Sequence, residues 1–99
     1  MTVEEFKASI AKTSPPTSIS ESLLAMWHDA RGDWDRAHDI AQEIHGQEGS
    51  WIHAYLHRKE GDPGNAAYWY HRANQPVCTM SLGEEWEGIV RELLGNGKK

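Results

Sequence analysis

The chain has 99 residues, 15 acidic and 10 basic side chains, a net charge of −5 with histidine neutral, and 38% apolar composition. That length bounds one small domain with a modest core. The acidic balance, with no basic stripe, argues against non-specific binding of a nucleic-acid backbone.

Thr2-Val3-Glu4-Glu5 has the form of a capping box and predicts a short helix to about Ala11, with Phe6 and Ile10 one turn apart to dock it. Ser14, Pro15 and Pro16 break it, so residues 1–17 read as an N-terminal helical arm and linker. Ser18-Ile19-Ser20-Glu21 is a second capping box, opening a helix with the stripe Leu23, Leu24 and Trp27. Gly32 stops that helix in the left-handed conformation and Asp33 caps the next, whose apolar positions are Trp34, Ala37, Ile40, Ala41 and Ile44. Gly46 and Gly49 bracket a predicted loop, with Ser50 as N-cap of a helix to Glu60 on the narrow stripe Ile52, Tyr55 and Leu56. Gly61 stops it. Asp62-Pro63, a cap followed by proline in the first turn, starts a helix to about Asn74 with Ala66, Trp69, Tyr70 and Ala73 inward. A third capping box, Ser81 to Glu84, opens the clearest amphipathic stripe, Trp86, Ile89, Val90, Leu93 and Leu94; Gly95 ends it, and residues 96–99 read as a tail. No stretch alternates as a strand does. The fold class is all-α, with a single helical domain over 18–99: hairpin 18–46, hairpin 50–75 and a capping helix 81–95.

Two stretches can be laid over each other, AMWHDARGDWDRAHDIAQEI from Ala25 and AYLHRKEGDPGNAAYWYHRA from Ala54. With Gly32-Asp33 on Gly61-Asp62, Ala25 falls on Ala54, His28 on His57 and Ala37 on Ala66. GDWDRA at Gly32 to Ala37 resembles the turn of a tetratricopeptide repeat, and NAAYWYHRA resembles the second helix of the related Sel-like repeats. HAYLHRKEGDPGNAAYWYHRA also resembles a block of small uncharacterised bacterial proteins, which implies no activity. The repeat resemblance implies two tetratricopeptide-like hairpins whose small residues permit close helix approach, and a first-helix face lining a concave groove. Histidines stand at family core positions: His28 and His57 replace an aromatic, and His53 an aliphatic.

His53, His57 and Glu60 share one helix face at i, i+4 and i+7, a spacing that suits two imidazoles and a carboxylate on a metal ion. The plainer expectation is that both histidines hydrogen-bond Tyr70 or the backbone within the core, with no metal and no cofactor. His28, with Tyr70 and His71, completes the candidate polar cluster. His38 and His45, beside Asp35 and Asp39, read as a solvated face. Trp51, Tyr55, Arg58, Lys59 and Tyr68 are the candidates for a peptide or anionic ligand, unless the last helix covers them. No catalytic motif is present, and Cys78 has no local nucleophile signature.

The lone Cys78 also forbids an internal disulfide and fits a reducing compartment. No apolar run approaches the ~20 residues of a membrane span, and MTVEEFKASIAK holds no hydrophobic signal core. The expectation is a cytoplasmic binding or scaffold module for a peptide, a protein or its own copy, with neither nucleic acid nor membrane as partner. The alternative is a small-ligand or metal-binding protein, or an enzyme, built around His53 and His57.

Overall fold

Capping chemistry sets most of the helix boundaries. The computed structural model describes residues 1–95 and holds α1 (Val3–Ser9), α2 (Glu21–Ala30), α3 (Trp34–Gln42), α4 (Gln47–Lys59), α5 (Pro63–Arg72) and α6 (Leu82–Gly95). The fold is all-α, with no strand among the described residues. The expected tail, residues 96–99, lies outside them. The boxes at Thr2 and Ser81 both form: Thr2 Oγ1 accepts from the Glu5 amide while Glu5 accepts from the Thr2 amide, and Ser81 and Glu84 repeat the exchange. Gly32 and Gly61 end α2 and α4 at φ +86° and +91°, where a Cβ is costly, and Asp33 and Asp62 cap α3 and α5.

Two expected boundaries are corrected. Ser18 does not cap α2: it takes φ +64°, and Ser20 accepts from the Leu23 amide instead. Gly46 and Gly49 do not bracket a loop, and Ser50 is no N-cap. Gly46, at φ +93°, is the N-cap of α4, while Gly49 and Ser50 lie buried inside that helix. Gly49 sits against Ile44, and a Cβ there would run into the Ile44 carbonyl. The α3–α4 corner is tight because position 49 has no side chain.

α4 is the central helix, touching α2, α3, α5 and α6. Eight of its 13 residues are buried, on more than one face, which explains why its apolar stripe looks narrow in sequence. α2 packs on α3 and α4 on α5, each pair joined by its Gly-Asp turn. Ala37 and Ala66 are both buried.

α1 and α6 close one side of the core. Phe6 is fully buried and stacks on Trp86 at 5.9 Å, and Trp86 Nε1 donates to the Met26 carbonyl at 3.1 Å. Burying a phenylalanine contributes about 2–3 kcal/mol, so the N-terminal helix is part of the core rather than a loose arm. Two buried carboxylates brace the other helices. Asp29 accepts from Tyr55 Oη at 2.7 Å and from Lys59 Nζ at 2.9 Å. Glu85 accepts from Arg58 Nη1 at 2.7 Å and from Tyr70 Oη. Among the described residues no buried side-chain nitrogen or oxygen lacks a partner, and no helix is long and apolar enough to cross a membrane.

Candidate metal centre

Two adjacent helices bring three imidazoles together. His53 and His57 lie one turn apart on α4. On α3 the positions 34, 37, 38 and 41 form one helical face, and the small Ala37 and Ala41, both essentially fully buried, let α3 approach α4 closely. Trp34 fixes the approach: its Nε1 donates to the Leu56 carbonyl at 2.8 Å, and its ring stacks on His38 at 4.9 Å and 12°. His38 is thereby turned toward α4.

His38 Nε2 and His53 Nε2 are 2.9 Å apart. One ring nitrogen from each of His38, His53 and His57 lies within 4.8 Å of the other two. The three rings pack tightly: His53 stacks on His57 at 5.1 Å and 11°, while His38 meets both edge-on at 4.6 and 5.4 Å. Trp69 of α5 also stacks on His53, at 4.1 Å and 11°. His57 Nδ1 is 2.7 Å from Glu60 Oε2. A carboxylate accepts, so Nδ1 of His57 donates this bond, and in the neutral ring the lone pair is then on Nε2. A carboxylate behind a histidine is also how metal-ligating imidazoles are commonly oriented.

His53 is 7% exposed. Burial, with the neighbouring His38 and His57 adding to it, pushes its pKa down from 6.5 to about 4. A neutral His53 is the form that ligates a metal ion. Around a tetrahedral zinc ion with bonds of about 2.05 Å, ligand nitrogens stand about 3.3 Å apart. The observed spacings, from 2.9 Å to within 4.8 Å, bracket that value.

The trio opens into a cleft of about 570 Å³ between α3, α4 and α5. Four of the six histidines in the chain line it: His38, His45, His53 and His57. Its other polar walls come from Gln42, Ser50, Asn65 and Arg72.

Comparison with protein families, with characterised proteins and with solved structures finds no match for this chain. The functional reading therefore rests on the site itself.

Other sequence candidates fall elsewhere. Glu60 is present at the site but bonds His57 Nδ1, and with Asp62 it forms a second, more exposed group about that histidine. Asp62 is also engaged as the α5 cap. His28 is half-buried against Trp27 and outside the trio. Its pKa is lowered by burial and by Arg36 and Arg31, against the opposing pull of Asp33. Tyr70 is buried and donates to Glu85 rather than to a histidine, and burial with that bond drives its pKa upward. His71 is exposed. Of the expected ligand face, Tyr55, Lys59 and Arg58 are engaged by Asp29 and Glu85, and Trp51 packs half-buried against the core. Tyr68 is 54% exposed, with the Arg72 guanidinium 5.7 Å from its ring centre.

His38 is the site residue that sequence reasoning missed. Pairing it with His45 and the neighbouring aspartates suggested a solvated face. The opposing signal was the spacing Trp34, Ala37, His38, Ala41, an inward stripe with a histidine inside it.

Proposed function

We propose that this protein binds a divalent transition-metal ion of the zinc type through His38, His53 and His57, within a small helical fold of tetratricopeptide-like hairpins. The observation that carries the reading is the convergence of three ring nitrogens in a cleft, two of them 2.9 Å apart. Imidazole is a preferred zinc ligand, and three of them leave a fourth position open. The packing supports ligation: Trp34 and Trp69 hold two of the rings in orientation, and Glu60 sets the tautomer of the third. Recognition of a peptide by Trp51, Tyr55, Arg58 and Lys59 is the weaker reading, because three of those four side chains bond within the fold.

The test is zinc titration calorimetry on protein purified without a histidine tag and stripped with chelator. One equivalent should bind, and His38→Ala, His53→Ala and His57→Ala should each weaken it at least about ten-fold. His71→Ala, which alters an exposed histidine outside the trio, should not. No binding, or equal binding by all four variants, overturns the proposal.

A further inference from the structure

The cleft has a chemistry of its own. The protein is acidic overall, at −5, yet among the described residues that line this cleft none carries a carboxylate. The nearest acid identified at the trio, Glu60, meets His57 at Nδ1, on the side away from its free nitrogen. The cleft is instead walled by Arg72, Asn65, Gln42 and His45. It also receives the start of α4, where Gly46 brings no side-chain acceptor to the first-turn amides. That end of a helix favours negative charge.

Arg72 is placed to read an anion. Its guanidinium lies 5.4 Å from the ring centre of Trp69, which also stacks on His53. Its one hydrogen bond among the described residues is a long one, 3.3 Å from Nη1 to Tyr68 Oη. The remaining donors are therefore available to a bidentate acceptor. The imidazole cluster and the Arg72 cation both adjoin the Trp69 ring and line the same cleft, an arrangement that suits a short organic molecule with an anionic group at each end.

Resting on the metal reading above, we propose that the cleft binds a short organic dicarboxylate. One carboxylate occupies the open position on the ion held by His38, His53 and His57, and the other pairs with Arg72. The imidazoles are neutral ligands, so the ion keeps its full charge and one carboxylate only partly offsets it. Arg72 then gives selectivity for a dianion over a monoanion.

The experiment uses the full chain loaded with cobalt(II), whose visible absorption reports its ligands, titrated separately with succinate, acetate and inorganic phosphate. Succinate should shift the spectrum saturably at a concentration about ten-fold or more below acetate. In Arg72→Gln that advantage should vanish while cobalt affinity and the acetate response persist, and Arg72→Lys should restore part of it. Cobalt binding with no succinate advantage, or an advantage unchanged in Arg72→Gln, overturns the dicarboxylate proposal alone. Phosphate binding as tightly as succinate overturns it too, in favour of a bare oxyanion. Failure to bind cobalt overturns the metal reading and this proposal together.

Discussion

Acid should destabilise the metal-free protein through His53, by an amount that can be worked out. Its folded pKa is about 4, against about 6.5 for a histidine in an unfolded chain. The folded value is the lower one, so below pH 6.5 the unfolded chain binds more protons and unfolding becomes easier. The stability is fully present above pH 6.5, is lost between 6.5 and 4, and the loss levels off below 4. At about 1.36 kcal/mol per pH unit, the window amounts to roughly 3 kcal/mol, with the slope near the one-proton limit in its middle. His38 and His57 face His53 from α3 and from the next turn of α4, and both oppose its protonation. The assay is urea unfolding in chelator, followed by tryptophan fluorescence, at several values between pH 7.5 and 4. Wild type should lose about 3 kcal/mol more than His53→Gln across that range. Parallel profiles for the two proteins would refute the buried, neutral His53.

Three further outcomes follow from the packing. Gly49→Ala should open the α3–α4 corner at the Ile44 carbonyl and cost about 1–3 kcal/mol in denaturant melts, despite alanine being the better helix former. Ala37→Leu and Ala66→Leu should each overpack a helix pair by about 1–3 kcal/mol, and melting temperatures equal to wild type would contradict the close approach at those sites. Arg58→Met should leave the Glu85 carboxylate, only 4% exposed, without its cation, at a cost on the order of 3 kcal/mol; adding Glu85→Gln should recover part of the loss.

Much of the fold was legible because its signals are local. The Gly-Asp turns, the proline after Asp62 and the boxes at Thr2 and Ser81 act through residues within a few positions of each other, so spacing alone places four of the six helix starts. Gly46 and Gly49 were misleading for a tertiary reason. Two glycines three positions apart read as a loop until the Ile44 carbonyl is seen where a side chain at 49 would be. The distinction between Ser18 and Ser20 is finer, since both have the capping side chain and only the backbone path out of the proline linker selects Ser20. The site divides the same way. His53 and His57 were legible as a pair because one helix spaces them. Their third partner comes from α3, and repeat symmetry pointed to His28 instead. The rotation of α3 about Ala37 and Ala41, held by the Trp34 bond to Leu56, decides in favour of His38.

The most direct test of the central claim is anomalous scattering at the zinc edge from crystals of the tag-free protein grown with one equivalent of zinc. A single strong peak should appear, bonded to Nε2 of His38, His53 and His57, with Glu60 still on the far nitrogen of His57. A zinc-free cluster with His38 and His53 simply hydrogen-bonded to each other, or a peak at any other group of side chains, would contradict it.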